Sequence, residues 1–364
     1  MAETQAIPMN TLHEEFGLTL MVNHACNLRC SYCYTGAKFS SPMAWKTGEA
    51  AIGRALHSLA PGGRLGLGFF GGEPLLEAGR ILEWMAFARA ETAKTGKRVC
   101  FHLTTNGTIT SAEAWQAMLA DDLILAVSCD GSPRMHNRHR RDAQGGGSAA
   151  QVEATLRRLV GSEMFFTVVF VVRPDNLDEV PEGLKYLHAL GVRQVDLSLD
   201  LWTTWSAGDG ERLQQLIQRA AELWRGWLPD FGLSWFDSKA GALARVPVEE
   251  ASTRCGFGSG EIAVAPSGNL YPCERLIGED APGQPMRLPG HVLEGSDFLT
   301  QAPATFARHE ACTQCALLTA CDTTCRCSNF VRTGDQNRPD GLLCLLNKAT
   351  AVAAAKVLAN GAIA

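Results

Sequence analysis

At roughly 100–200 residues per domain, 364 residues allow two or three domains, and 46% hydrophobic content with 20% charge describes a folded chain rather than a disordered one. Lys and Arg number 33 against 38 Asp and Glu, a net charge of −5 with no basic stripe, which argues against a general nucleic-acid footprint. No uncharged apolar run approaches the roughly 18–20 residues of a membrane span, and the start MAETQAIPMN lacks the basic and apolar regions of a secretion signal. The expectation is therefore a cytoplasmic protein with no membrane partner.

From about residue 17 to residue 200, short β-branched or aromatic runs alternate with helix-period stretches, the pattern of β/α units with parallel strands. Six strands are expected, at Leu18–Asn23, Leu65–Phe70, Val99–Thr105, Leu123–Asp130, Phe165–Val172 and Gln194–Asp200, and their largely apolar character suits burial on both faces. Helical stripes lie between them, as in Leu177, Val180, Leu184, Leu187 and Leu190, or Val152, Leu156, Leu159 and Val160. Six such units fit either a partly closed barrel or an open doubly wound sheet. Residues 206–250 break the alternation with a Trp-rich amphipathic helix that reads as a bridge. From about 251 the texture turns to Gly, Pro and Cys, with a hairpin in EIAVAPSGNLYPCE turning at Ser267, Gly268 and Asn269. A segment so poor in apolar runs needs metal to hold it together. The Ala-rich residues 346–364 read as a terminal helix without chemistry.

The 13 cysteines are not spread evenly. An odd count in a reducing compartment disfavours disulfides, and clustered thiolates there more often bind metal. After the first strand comes HACNLRCSYCY, with Cys26, Cys30 and Cys33 spaced C-x3-C-x2-C. Structural zinc takes four closed ligands, whereas three thiolates on a [4Fe–4S] cube leave one iron open. Zinc completed by His24 or a distant residue is the alternative. Cys100 and Cys129, inside apolar strands, read as core residues.

The CNLRCSYC loop behind the first strand of a β/α repeat resembles the radical S-adenosylmethionine (SAM) superfamily. That resemblance implies a partial (β/α)6 barrel over 18–205, after an N-terminal extension at 1–17. It also implies a cluster on Cys26, Cys30 and Cys33 whose open iron chelates SAM, and reductive cleavage of SAM to a 5′-deoxyadenosyl radical that abstracts hydrogen from substrate. Further elements follow at successive strand ends. In GGEP, Gly71 and Gly72 permit close backbone approach, and Glu73 would hold the methionyl ammonium. In TTNG, Asn106 is a cofactor contact. After the fourth strand, Ser128 and Arg140 correspond to the groups that bind SAM carboxylate and ribose, with Arg138 and Arg141 as competing neighbours of Arg140.

Cys255, then Gly268 and Cys273, then Cys312-x2-Cys315-x5-Cys321-x3-Cys325, and finally Cys344 form a seven-cysteine pattern. It resembles the SPASM domain, an auxiliary-cluster module behind the barrel of peptide- and protein-maturing enzymes, and implies a small Cys-rich α+β domain over about 251–345. By that resemblance Cys255, Cys273 and Cys325 hold one auxiliary [4Fe–4S] cluster, and Cys312, Cys315, Cys321 and Cys344 the other, three clusters in all. The sulfatase-maturing branch has an eighth cysteine soon after the first, and GFGSGE offers none; Cys327 either completes that cluster or is a free neighbour. The expected function is radical modification of a side chain in a ribosomally made peptide, forming a thioether or carbon–carbon cross-link while the auxiliary clusters relay an electron. Formylglycine formation in a sulfatase is the alternative, and an iron–sulfur scaffold without SAM chemistry the alternative of another class. Expected partners are a peptide or protein substrate and an external electron donor. A first strand beginning near residue 18 leaves no room for a fused leader-binding domain ahead of the barrel, so a leader would be recognised by a separate protein or by the barrel surface.

Overall fold

The computed structural model describes residues 11–244, 256–301, 309–318, 321 and 325–359. The chain divides into two compact units, one of Met1–Arg29, Cys33–Ala126 and Cys255–Phe306, the other of Cys30–Tyr32, Val127–Arg254 and Ala307–Ala364.

In the first unit β1 (His13–Asn23) lies parallel to β2 (Leu59–Gly71), and β2 to β3 (Arg98–Thr105). The chain crosses between them through α1 (Trp45–His57) and, after a short 3-10 turn at Pro74–Glu77, through α2 (Ala78–Thr95). The helix α3 (Ala112–Met118) follows, with Ser111 capping it by accepting from the Ala114 N–H. Burial alternates along the strands. Phe16, Leu18 and Leu20, Leu65, Leu67 and Phe69, and Phe101 and Leu103 are buried, in register across the three strands. The residues between them, Gly17, Thr19, Gly66, Gly68, Cys100 and His102, are half-buried or exposed. The strands are thus not closed on both faces, contrary to the sequence expectation: runs that read as apolar carry Gly, Thr, Cys and His at every second place, and period two assigns these to the other face. Cys100 accordingly departs from its expected core position, whereas Cys129 is buried.

The Cys-rich segment contributes to this same unit. The expected hairpin is present as β8 (Glu261–Val264) and β9 (Leu270–Tyr271), antiparallel to each other, with Gly268 in a left-handed turn at φ +92°. Strand β8 adds to the free side of β1 in parallel, Leu18 facing Ile262 and Leu20 facing Val264. Buried Arg54 on α1 clamps the following loop, donating to the carbonyls of Asp297 at 3.0 and 2.6 Å and of His291 at 2.9 Å, with its guanidinium 4.3 Å from the Phe298 ring centroid.

β4 (Leu123–Ser128) carries the chain from one unit to the other. In the second unit α4 (Pro133–His139) and α5 (Ala149–Gly161) precede β5 (Phe166–Val172), α6 (Val180–Ala189) leads to β6 (Gln194–Leu199), and β6 pairs in parallel with β5 and with the short β7 (Gly232–Leu233). The stripe Leu177, Val180, Leu184, Leu187 and Leu190 is buried as its spacing requires. The Trp-rich segment is α7 (Ala207–Trp227), opened by a capping box in which Ser206 and Asp209 satisfy each other's backbone N–H groups. Then come α8 (Ser234–Ala244), the single turn α9 (Glu310–Thr313), α10 (Arg326–Thr333) and α11 (Gly341–Ala359). The last packs on α7 and α8. It is long and apolar enough by length and composition to cross a membrane, which the sequence reading did not register, because Lys348 and Lys356 interrupt the uncharged run.

Candidate cluster and cofactor site

The strand β1 ends in Asn23, a buried residue that shapes everything after it. Its Oδ1 accepts from the Ala25 N–H at 3.0 Å and the Ser41 N–H at 2.9 Å, while its Nδ2 donates to Glu77 at 2.6 Å. The cysteine loop follows at once. Cys26 and Cys33 belong to the first unit and Cys30 to the second, and all three are half-buried.

The end of β2 is sewn to the start of this loop: the Gly72 N–H donates to the Asn23 carbonyl and the Glu73 N–H to the Ala25 carbonyl, both at 2.9 Å. A Cβ on Gly72 would stand 2.2 Å from the Ala25 oxygen, and one on Gly71, at φ +149°, 2.4 Å from the Asn23 oxygen. The close approach that these glycines permit is therefore to the backbone of the cysteine loop.

Glu73 is buried. Its carboxylate accepts from the Leu75 N–H at 3.0 Å, the Thr105 hydroxyl at 2.7 Å and the Asn106 N–H at 2.7 Å. Burial pushes its pKa up to about 7, against those hydrogen bonds, which favour the ionised form. Asn106 also engages the cysteine loop. Its Nδ2 donates to Asn27 at 2.9 Å and lies 3.8 Å from the Cys26 sulfur, and its Oδ1 accepts from both the N–H and the hydroxyl of Thr108. Its polar atoms hold the loop around the first cysteine.

The thiol of Cys33 has Thr35 at 3.3 Å and the Lys38 ammonium at 3.1 Å. Burial acts to raise its pKa, but the Thr35 hydrogen bonds and the Lys38 charge outweigh it and hold the thiol below its ordinary value. Cys26 accepts from the Leu28 N–H at 3.4 Å. Three thiols, two of them with donors aimed at sulfur, fit a cluster bound as thiolates. Among the described residues no three His, Cys, Asp or Glu side chains are gathered as tightly as ligands of a single ion; a cube spreads its thiolates over separate irons and needs a wider arrangement.

In the second unit the middle of the loop is pinned by α4. The Ser31 N–H donates to the His139 carbonyl at 3.0 Å, and its hydroxyl meets His139 Nδ1 at 2.7 Å. The Tyr32 hydroxyl donates to Asp130. Arg140 is buried and forks onto the same carboxylate, Nε to Oδ2 at 3.0 Å and Nη2 to Oδ1 at 3.2 Å, with the Val171 N–H completing it at 3.1 Å. Burial alone would raise the Asp130 pKa, yet the Arg140 charge and its hydrogen bonds keep the acid below its usual range. Arg138 instead pairs with Glu179 at 2.6 Å, and Arg141 donates to the Gly145 carbonyl. Of the three candidate arginines, only Arg140 is buried. Ser128, half-buried, is the last residue of β4. Asp130 and Tyr32 complete this site; Tyr32 was expected only as an aromatic cover within the cysteine loop, and Asp130, two residues after Ser128, was missed by sequence reasoning.

Of the later cysteines, Cys255 lies outside the described residues, and Cys273 is buried at the start of a 3-10 turn. Burial raises the Cys344 pKa, and negative charge at Cys321, Cys312 and Cys315 raises it further against the Lys348 charge, so these three cysteines lie near Cys344 in the second unit. Cys327 is buried, its sulfur 3.4 Å from that of Cys325, which also meets the Ser328 hydroxyl at 3.1 Å.

A cysteine loop on the first strand of a β/α repeat, with GGE at the end of the second, defines a radical SAM fold. Residues 20–187 match the family model of the Radical SAM superfamily, so the chain carries a radical SAM domain. Its fold is that of a solved sulfatase-maturing enzyme, anSMEcpe, described with bound AdoMet and a Cp18Cys peptide: TM-score 0.78 and 19% identity, covering 96% of this chain and 98% of that one. In sequence it is 22% identical over 338 residues to the cysteine-type anaerobic sulfatase-maturating enzyme of Clostridium perfringens, covering 85% of this chain and 89% of the relative. Streptococcus suis SuiB, solved with its precursor peptide SuiA, matches with TM-score 0.62 and 12% identity over 90% of this chain and 76% of that one. The chain is a radical SAM enzyme akin to maturases of peptides and proteins.

Proposed function

We propose that this enzyme modifies a side chain of a ribosomally made peptide, using one [4Fe–4S] cluster on Cys26, Cys30 and Cys33 to cleave SAM and two auxiliary clusters to pass on the electron left after hydrogen abstraction. When bound, the first cluster supplies the electron that splits SAM. The protein's part is positioning. Asn23, Gly72, Asn27 and Asn106 fix the backbone around Cys26, and Ser31, Tyr32 and Asp130 fix it around Cys30. Glu73 has the buried carboxylate that an ammonium of SAM would meet, and an incoming cation would favour its ionised form. Ser128 and Arg140 are assigned to the SAM carboxylate and ribose, with Asp130 aiming the guanidinium.

The maturase reading is supported by the nearness of Cys312, Cys315 and Cys321 to Cys344, close enough for their charges to bear on its thiol, and by the alignment with a sulfatase-maturating relative along most of both chains. A radical SAM barrel that made its radical and nothing more would not need a second thiolate group. For the other auxiliary cluster, Cys255, Cys273 and Cys325 remain the assigned ligands, and the contact of Cys327 with Cys325 supports Cys327 as the residue that completes it.

Cross-linking is preferred because the eighth cysteine of the sulfatase-maturing branch is missing here. Formylglycine formation is kept as the second reading, because a sulfatase-maturating relative aligns along most of both chains. Incubating the reconstituted enzyme with SAM, dithionite and peptides that carry Cys, Ser, Asp and aromatic residues separates them. A cross-link gives a product lacking one H2, unreactive toward hydrazide probes. A hydrazide-reactive aldehyde on Cys or Ser would overturn the preference.

A further inference from the structure

A groove of about 980 Å³ runs between α7 and α11 in the second unit; Cys344, assigned to an auxiliary cluster, lines it toward the start of α11, and the rest of its length has no part in the radical chemistry. Its floor is mostly apolar, with Ile217 and Ala221 on one helix and Leu345, Ala349, Val352 and Ala353 on the other, and Gln214 and Gln218 add polar groups along α7. Val352 is 50% exposed, and only a third of the most apolar stretch of α11 is buried. An unpartnered apolar surface of this kind marks a docking site. Charge supplies the sign of the occupant. Arg225, Lys348 and Lys356 stand at the rim against one carboxylate, Glu222, and none of the three cations forms an ion pair among the described residues.

Geometry supplies its shape. Both walls are helices whose backbone groups are already bonded internally, so an extended occupant would press unpaired N–H and C=O groups against an apolar floor. A helix satisfies its own backbone, and Ala221, Ala349 and Ala353 are small enough to admit one closely. From Gly341 to Val357 the groove wall spans about 24 Å at 1.5 Å per residue, room for about four turns.

We propose that this groove receives an acidic amphipathic helix of the peptide that the enzyme modifies. The inference rests on the peptide-maturase reading and adds to it a recognition surface made of α7 and α11. A concave groove does not fit the plane of a lipid surface, and its cations match glutamate and aspartate on the outer face of a bound helix.

The test uses the full chain and two fluorescein-labelled helix-forming peptides of about four turns, one with Leu at helical spacing and Glu elsewhere, the other with Lys in place of Glu. Anisotropy should show saturable binding of the acidic probe and little of the basic one. The double variant Arg225→Glu with Lys356→Glu should weaken the acidic probe by about tenfold and strengthen the basic one. Val352→Glu should abolish binding of both. Release of 5′-deoxyadenosine without peptide should be unchanged in these variants, which shows that they fold. Its absence from the parent would count against the proposed function and leave the binding result standing. Equal binding of both probes, no response to the double variant, sedimentation with phosphatidylglycerol vesicles in place of probe binding, or a dimer dissociated by Val352→Glu would each overturn the proposal.

Discussion

Two buried groups, Glu73 in the first unit and His136 in the second, respond to pH in opposite directions. His136 is wholly buried: its Nδ1 faces the Asp130 N–H at 3.4 Å, so Nε2 carries the proton and donates to the Ser148 hydroxyl at 2.9 Å, which in turn donates to the Arg140 carbonyl. Burial, then the Arg140 charge, lower its pKa to about 4. An unfolded chain binds this proton more readily, so the stability that His136 contributes is present above about pH 6.5 and is lost as pH falls toward 4. Glu73, raised to about 7, has the reverse sign: its contribution is present below about pH 4.5 and is lost as pH rises through 7. Each effect is on the order of 3 kcal/mol, and between about pH 4.5 and 6.5 they oppose each other. The expected stability profile of the apo chain is shallow there, and Glu73→Gln should make it rise with pH; urea midpoints across that range check it, and a variant as flat as the parent would contradict the assignment. Asp130→Asn should act differently, stranding the buried Arg140 charge and costing about 3–5 kcal/mol at neutral pH. Thermal or urea unfolding measures it, and a loss below about 1 kcal/mol would mean that Arg140 finds another partner.

At the scale of elements, the junction of β2 with the cysteine loop is the place where one methyl group should matter most. Gly72→Ala puts a carbon 2.2 Å from the Ala25 oxygen, and the two hydrogen bonds that sew the strand end to the loop must part. The expected result is about 1–3 kcal/mol of lost stability and, after anaerobic reconstitution, about four fewer irons per chain. Unchanged iron content would show that the loop holds its cluster without the strand. All six barrel strands, the hairpin at Ser267–Asn269 and the stripes of α5 and α6 were legible in the sequence, because periods of two and near 3.6 are local properties. So was the cysteine loop, whose spacing is contiguous. What was not legible depends on distant partners: that Asn106 faces Asn27 and Cys26, that Asp130 receives Arg140 and Tyr32, and that β8 extends the sheet beside β1. Cys100 was misread for a related reason, since an apolar run does not say which of its alternate residues faces away from the helices.

At the scale of the molecule, the cysteines divide by position in the fold. Cys26, Cys30 and Cys33 follow β1, Cys312, Cys315 and Cys321 lie near Cys344, and Cys325 touches Cys327. One β/α chain thus combines a radical-generating loop, a second thiolate group, and an apolar groove on α7 and α11 with a cationic rim. Each has its own signature and can be tested alone. Reductive cleavage of SAM is assigned to the loop after β1. Anaerobically reconstituted protein, given dithionite and SAM, should release 5′-deoxyadenosine and methionine, and Cys30→Ala should end that release. Fully iron-loaded protein that forms no 5′-deoxyadenosine, or a Cys30→Ala variant that forms it at the parent rate, would contradict the claim.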